Sequence, residues 1–209
     1  MIIEWLGHAS IKIKTKDKVI YIDPYSGDYT NAEKADIILI THSHYDHFSK
    51  EKISQIMADD TIIVAPLTVG TQIETELMKN GDKKEINGLN IEAVPAYNVT
   101  KSFHPKGEGN GYIFEIEGKK IYYSGDTDLI PEMNLMEADL VLLPIGGTYT
   151  MDAEEAASVA KVIGPDLAIP IHWGEIVGHE DDAQQFKEEI INDTEIEVKI
   201  IKPGESIEF

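Results

Sequence analysis

Short apolar runs, many of them alternating with polar residues, recur along the whole chain. Alternation over Ser10–Thr15 is typical of a half-buried strand, whereas the continuous apolar run Ile37–Ile40 is typical of a strand buried on both faces. The same patterns predict strands at Ile2–Leu6, Val19–Asp23, Ile62–Ala65, Leu89–Val94, Tyr112–Glu117, Lys119–Ser124, Leu140–Leu143, Leu167–Ile171 and Glu195–Ile201.

Four helices are predicted between these strands. Ser49 caps a helix over Lys50–Met57, and Pro66 starts one that runs to about Lys79. Asp152 caps a third helix that ends at Ile163, and the last begins at Asp181 or Asp182. No linker separates the two halves, so we expect one domain over residues 1–209. Its predicted class is α/β, with two sheets face to face and helices outside.

The amino-acid composition indicates which class of protein this domain belongs to and in which compartment it is expected. Hydrophobic residues make up 42% of the 209 positions, which is enough to fill a core, and no apolar run approaches a membrane span. The chain has no Cys, and its first residues lead directly into a strand pattern rather than a signal peptide. We therefore expect a soluble, cytoplasmic protein without a membrane partner. Its size and its exposed strand edges are compatible with a homo-oligomer.

The charge argues against nucleic acid as a partner. All 18 basic residues are Lys, and 38 acidic residues give a net charge of −20. Affinity for nucleic acid comes largely from contacts between cations and phosphates, and Arg is the side chain best shaped for them. The acidic balance instead indicates a solvated surface, and a small molecule is the expected substrate.

The densest group of side chains that can bind a metal lies directly after the buried strand Ile37–Ile40. His42, His44, Asp46 and His47 place four metal-ligand side chains within six residues. A short loop can direct His42 and His44 at one metal, while the adjacent Asp46 and His47 favour a second metal nearby. Imidazole and carboxylate suit zinc, with iron or manganese as alternatives. A surface loop would carry this combination only by coincidence.

The pattern His42-x-His44-x-Asp46-His47 resembles the HxHxDH signature of the metallo-β-lactamase superfamily. Ser124–Thr127, the Trp5–Ser10 opening and Leu143–Asp152 extend the likeness to its ascorbate-6-phosphate lactonase-like branch. The resemblance implies an αββα sandwich with two divalent metal ions. By this resemblance, His42, His44 and a third-motif residue would hold one ion, Asp46, His47 and His172 would hold the other, and Asp126 would bridge them.

The third-motif position has two candidates. Asn98 stands where relatives often have a His, and His104 follows six residues later. Imidazole is a much better zinc ligand than an amide, so we favour His104 as the ligand. Asn98 is then expected to support that ligand or to contact the substrate.

Four further loop residues are candidates for substrate binding. His8 could alternatively orient a metal ligand, and His179 could donate a proton. Lys101 and Tyr149 could bind an anion or stabilise an oxyanion. The polar composition of these loops predicts a polar or anionic substrate.

The resulting hypothesis is a metal-dependent hydrolase of an ester, lactone or phosphodiester. The attacking hydroxide would be generated at the metals, and Asp46 would orient it. Two alternatives stay open: a nuclease or RNA-processing phosphodiesterase, and a metal-binding protein without turnover.

Overall fold

The computed structural model describes residues 1–209 as two mixed β-sheets packed face to face with helices outside them. This architecture confirms the predicted α/β sandwich. The strands are β1 (Ile2–Gly7), β2 (Ser10–Lys14), β3 (Val19–Ile22), β4 (Ile37–Leu39), β5 (Ile62–Ala65), β6 (Glu76–Leu77), β7 (Lys83–Ile86), β8 (Leu89–Ala96), β9 (Gly109–Ile116), β10 (Lys119–Tyr123), β11 (Leu140–Pro144), β12 (Leu167–Ile171), β13 (Glu197–Val198) and β14 (Ser206–Glu208).

Each sheet has seven strands and combines a parallel with an antiparallel half. The first sheet has the order β14-β1-β2-β3-β4-β5-β6, and its strands from β3 to β6 are parallel. The second has the order β13-β12-β11-β10-β9-β8-β7, with the parallel half running from β10 to β13. The loops at the carboxyl ends of β4, β10 and β12 carry polar residues, and ligands commonly bind beyond such ends.

The helices are α1 (Lys50–Ile56), α2 (Leu67–Gly70), α3 (Ala153–Ile163) and α4 (Glu180–Ile191), with a short 3₁₀ helix over Pro131–Leu135. Both predicted caps are present: Ser49 accepts a hydrogen bond from the N–H of Lys52, and Asp152 forms a reciprocal capping box with Glu155. No helix of the chain combines the length and the apolar character that crossing a bilayer requires.

Apolar residues fill two layers. The larger core extends from the space between the sheets to the buried faces of α3 and α4, and includes the side chains of Trp5, Ile37 and Phe186. A smaller cluster lies under α1, where Ile53 and Ile56 pack with residues of β4 and β5. Helix α3 packs against α4 and β11. The two sheets are therefore held as one rigid support for the loops at their shared edge.

Two predicted elements differ in the structure. The helix expected from Pro66 to Lys79 ends at Gly70, and the chain folds back to form β6 beside β5. Leu77 fills the space beside Gly70, where a Cβ atom would lie 2.3 Å from Leu77 Cδ2. The strand expected over Glu195–Ile201 is regular only at β13. Three short strands, β6, β7 and β14, were not predicted because their sequences are brief and largely polar.

Candidate metal centre

Loops that follow strand ends meet at one edge of the sandwich and bring all seven predicted metal ligands together. The side chains are His42, His44, Asp46 and His47 after β4, His104 after β8, Asp126 after β10 and His172 after β12. His8, from the loop after β1, joins them. Parallel strands end at a common edge, which is why residues distant in sequence become neighbours here.

Asp126 lies at the centre of this cluster. Its Oδ1 atom is 3.3 Å from His47 Nε2, and its Oδ2 atom is 3.2 Å from His104 Nε2 and 3.3 Å from His172 Nε2. Burial acts to raise the pKa of Asp126, but His172 and His47 outweigh it and hold the pKa well below its ordinary value. Asp126 is therefore a carboxylate that faces three imidazole nitrogens.

The possible ligand atoms form three overlapping groups, and within each group all atoms lie within 4.8 Å of one another. The groups are His42, His44 and His104; His8, Asp46, His47 and His172; and His42, His47 and Asp126. The first group is compact, with ring centroids 4.6 Å apart for His42 and His44 and 5.0 Å apart for His42 and His104. The spacing of the groups is compatible with more than one cation.

Unpartnered buried nitrogens show that these residues fit a metal. The Nε2 atoms of four buried His have no hydrogen-bond partner: His42, His47, His104 and His172. Leaving a buried polar atom unpaired costs about 1–3 kcal/mol, so four in one place are costly without a ligand. Burial also lowers the pKa of His42 well below its ordinary value, which leaves its ring neutral with a free lone pair. A donor set of nitrogen and oxygen without sulfur suits zinc, iron or manganese.

Three of these rings are oriented by a neighbour at Nδ1. His47 Nδ1 lies 2.8 Å from Asp23 Oδ2, and His42 Nδ1 lies 3.0 Å from Thr41 Oγ1. His104 Nδ1 lies 3.0 Å from Asn98 Oδ1. A partner at Nδ1 fixes the ring and directs Nε2 at the cluster, as in most proteins that bind metal through His.

Asp23 and Thr41 were not singled out from the sequence. Asp23 ends the predicted strand Val19–Asp23 and precedes Pro24, and Thr41 stands immediately before His42. A carboxylate at a strand end beside a buried His-rich loop is the signal that could have identified Asp23. Its importance depends on a contact across 24 positions of sequence, which no local pattern contains.

The third-motif position is occupied as favoured, with His104 beside His42 and His44. Asn98 supports it: its Oδ1 accepts a 2.9 Å hydrogen bond from the N–H of His104. Its Nδ2 donates to Asp128 Oδ1 at 3.0 Å and to the carbonyl of Tyr149 at 2.9 Å. The alternative role of Asn98 as a substrate contact does not fit, because the protein uses both ends of its buried amide.

His8 is fully buried and lines neither of the two cavities at the cluster. Its Nε2 lies 3.1 Å from Asp46 Oδ2, and its ring lies against that of His172 with centroids 3.9 Å apart. The carbonyl of His8 accepts a 2.8 Å hydrogen bond from the N–H of His172. These contacts favour the alternative role considered for His8, the orientation of a metal ligand, over substrate binding.

The other predicted substrate residues separate into two kinds. Tyr149 lines a cavity of about 280 Å³ at the cluster. Lys101 is not free to bind an anion, because its Nζ donates to Asp128 Oδ1 at 2.7 Å and to the carbonyl of Thr150 at 2.9 Å. His179 precedes α4 as an exposed N-cap and lines neither of the two cavities at the cluster. The structure thus brings Tyr149 to the cluster and leaves Lys101 paired and His179 apart from it; substrate binding by any of the three stays a prediction.

Two mixed sheets with a His- and Asp-lined edge define a protein of the metallo-β-lactamase fold. A family model described as the β-lactamase superfamily domain matches residues 2–172. Over its full length the chain is 33% identical to a UPF0173 metal-dependent hydrolase of Methanopyrus kandleri, of which it covers 100%. The chain belongs to the β-lactamase superfamily and, within it, to the UPF0173 metal-dependent hydrolases.

Solved structures agree with this assignment. A protein of Parabacteroides distasonis, proposed to be a metal-dependent hydrolase, superimposes with a TM-score of 0.88 at 35% identity, over 95% of this chain and 91% of that one. Igni18, a metallo hydrolase of Ignicoccus hospitalis, has a TM-score of 0.83 at 26% identity, over 100% of this chain and 98% of that one. The predicted superfamily is confirmed, and hydrolysis that depends on metal is the activity of the family.

Proposed function

We propose that this protein is a binuclear metal hydrolase that acts on an ester, lactone or phosphodiester bond of a small molecule. His42, His44 and His104 would hold one divalent ion, and Asp46, His47 and His172 the other. Asp126 would lie between the two ions. The observation that carries the proposal is the set of four buried Nε2 atoms without a hydrogen-bond partner, three of which lie 3.2–3.3 Å from the carboxylate of Asp126. Zinc is the ion proposed, with manganese or iron as alternatives.

Divalent ions held by these residues would supply Lewis acidity, which would lower the pKa of a bound water towards neutrality and polarise the bond under attack. The protein's own contribution is to hold the groups around that water. Asp46 is partly open to the cavity, and its side chain is 14% exposed. Burial acts to raise its pKa, but the hydrogen bond from His8 contributes to a pKa below its ordinary value. Asp46 is therefore an orienting acceptor for a water proton rather than a long-lived proton store.

The attack needs no side-chain nucleophile. The chain has no Cys, so a thiol route is excluded. His104 and Asp126 line both cavities at the cluster, so a substrate in either one lies beside the reacting water. Orientation of substrate and water by fixed groups contributes much of the rate in such sites.

Two other functions are less well supported. A nuclease would need cations for the phosphate backbone, and this chain has no Arg and a net charge of −20. A metal-binding protein without turnover would keep the same ligands but would not need a cavity open at Asp46. A cytoplasmic location stays a prediction from the Cys-free composition, and oligomeric state stays open.

The test joins metal content with turnover. We expect close to two zinc, manganese or iron ions per chain, and hydrolysis in a screen of lactones, esters and phosphodiesters that stops after chelation. His44→Ala and His172→Ala should abolish turnover and reduce the metal content while the protein stays folded. His179→Gln, at an exposed position outside the cluster, is the matched control and should retain both. Turnover that is unchanged in His44→Ala and His172→Ala would contradict the proposal.

A further inference from the structure

The cavity of about 280 Å³ at the cluster has two unlike sides. One side is the cluster itself, represented by His44, Asp46, His104 and Asp126. The other is apolar and aromatic and consists of Tyr45, Phe103, Tyr149 and Ile176. We call this second set the apolar wall. Phe103 packs edge to face on Tyr149 with ring centroids 4.7 Å apart.

Members of the apolar wall are unusually open to solvent for their size. Tyr45 is 68% exposed, Phe103 is 47% exposed and Ile176 is 37% exposed. The four residues of the apolar wall come from four separate loops, yet they line one cavity. Exposed apolar surface concentrated at a concave site, rather than scattered singly, marks a place where a ligand binds.

No side chain with a fixed positive charge lines this cavity. None of its lining residues is Lys, and the chain has no Arg. Lys101, the basic residue in the adjoining loop, is bound to Asp128 and Thr150. A carboxylate or phosphate on the part of a substrate away from the metals would therefore be desolvated without a counter-charge, which is costly.

The apolar wall is fixed relative to the cluster. Asn98 accepts hydrogen bonds from His104 through Oδ1 and donates one to the carbonyl of Tyr149 through Nδ2. The Lys101–Asp128 ion pair, at 2.7 Å, ties the loop before Phe103 to the segment after Asp126. A substrate group held by Phe103 and Tyr149 is thus placed at a defined distance from the reacting bond.

We propose that the substrate is a neutral ester or lactone that carries an aromatic or branched apolar group, which packs against the apolar wall. Phe103 and Tyr149 are then specificity-determining residues. Hydrolysis adds water across the acyl C–O bond: the water oxygen bonds to the acyl carbon, and the alcohol oxygen leaves with a proton. This inference rests on the proposed hydrolase function and differs from the anionic substrate that the loop composition predicts.

A matched pair of lactones tests the inference on the metal-loaded protein. γ-Phenyl-γ-butyrolactone is the neutral probe, and its 4-carboxyphenyl analogue adds one negative charge at nearly the same shape. The added carboxylate would meet no cation at the apolar wall, so we expect kcat/KM to be about tenfold or more higher for the phenyl lactone. Phe103→Ala should remove most of that preference, and Phe103→Leu should retain part of it. γ-Methyl-γ-butyrolactone, which lacks the aromatic ring, should lose less activity in Phe103→Ala than the phenyl lactone does. Leu135→Ala, which shortens an 87% exposed side chain outside the cavity, is the matched control.

Binding is measured separately from turnover. Saturation-transfer NMR with chelator-treated protein should show contact with the phenyl protons of the lactone, and Phe103→Ala should lose it. Equal or faster hydrolysis of the carboxyphenyl lactone would overturn the inference and leave the hydrolase function standing. If the metal-loaded protein hydrolyses no lactone or ester but does hydrolyse a phosphodiester, this inference fails and the hydrolase function stands. If it hydrolyses none of the three, the hydrolase proposal fails, and the NMR contact alone decides whether the apolar wall binds this class of compound.

Discussion

Asp23 Oδ2 and His47 Nδ1 lie 2.8 Å apart, both fully buried, and this contact connects the metal cluster to the sandwich behind it. The same carboxylate accepts hydrogen bonds from the N–H and the hydroxyl of Thr41, at 2.8 Å and 2.7 Å, and from the hydroxyl of Tyr123 at 3.1 Å. Asp23 follows β3 of one sheet, and Tyr123 is the last residue of β10 in the other. One side chain therefore fixes a candidate ligand, the loop that carries it and the spacing of the two sheets.

Asp23→Asn is expected to weaken metal binding while the fold is kept. An amide cannot accept at all the positions that the carboxylate uses, so His47 loses its fixed ring orientation. Changes of this kind typically cost 10–100-fold in metal affinity, roughly. The measurement is metal affinity by competition with a chelator of known strength. Asp36→Asn is the matched control, because Asp36 also accepts a backbone hydrogen bond, from Val19, but lies outside the cluster. Equal affinities of the two variants would show that Asp23 has no special role.

Gly146→Ala is expected to displace His172. A Cβ atom at position 146 would lie 2.8 Å from the carbonyl oxygen of His172 and 3.2 Å from its Nδ1. Backbone atoms cannot move aside as a flexible side chain would, so the loop after β12 must shift, and we expect lower metal content and turnover. Gly109→Ala provides the comparison beside the same site, because its Cβ would meet His42 Cβ at an ordinary 3.4 Å. A loss of metal in Gly109→Ala equal to that in Gly146→Ala would argue against this steric explanation.

Removing the metal is expected to lower thermal stability. A ligand that binds only the folded state stabilises it by about 2.7 kcal/mol at one hundred times its dissociation constant. In a chain of this length that corresponds to a decrease in Tm of roughly 5–10 °C on chelation. Calorimetry before and after chelation, and again after zinc is restored, measures it. His172→Ala should show a smaller shift, because one of the unpartnered nitrogens is gone; a full shift in that variant would place the metal elsewhere.

Lowering the pH should weaken the ion pairs that Glu33 forms with Lys12 and Lys14 on the surface. Glu33 bonds to Lys14 at 2.5 Å and to Lys12 at 2.9 Å, and these hydrogen bonds lower the pKa of Glu33 from 4.5 to about 2. The folded state thus has the lower pKa, so the stabilisation is complete above about pH 4.5 and is lost as the pH falls towards 2.

Glu33 is 45% exposed, so the contribution is small after screening by solvent, about 0.5 kcal/mol. Urea unfolding of the wild type and Glu33→Gln should differ by that amount at pH 7 and converge near pH 2. The difference should also shrink in 1 M salt. A difference that grows on acidification would reverse the assigned sign.

The sequence predicted most of the core and most of the site, for a common physical reason. Strands such as Ile37–Leu39 are apolar at every position, and the dense HxHxDH loop follows directly, so local pattern and chemistry are readable together. The preference for His104 over Asn98 followed from ligand chemistry alone, and the structure places both residues accordingly. Helix α3 was predicted to its last residue, because Asp152 and Gly164 mark both ends.

The features that could not be predicted from the sequence depend on contacts between residues far apart in the chain. The segment after Gly70 contains enough helix-compatible residues to predict a helix, but pairing with β5 makes part of it a strand. Lys101 looks like a free cation until the fold brings Asp128 beside it. The role of Asp23 likewise needs both sheets in place. In each case tertiary pairing decides between locally acceptable alternatives.

The residues around Asp126 are spread along the chain from His8 to His172, so the site exists only once long-range closure is complete. The entropy of closing such loops must be overcome before a cation meets its full set of donors, which makes metal capture a late event in folding. Interactions that form after the transition state slow unfolding and leave the refolding rate nearly unchanged. In this protein, bound metal would therefore slow the unfolding of a sandwich that has already formed. It would not serve as the nucleus around which the sandwich folds.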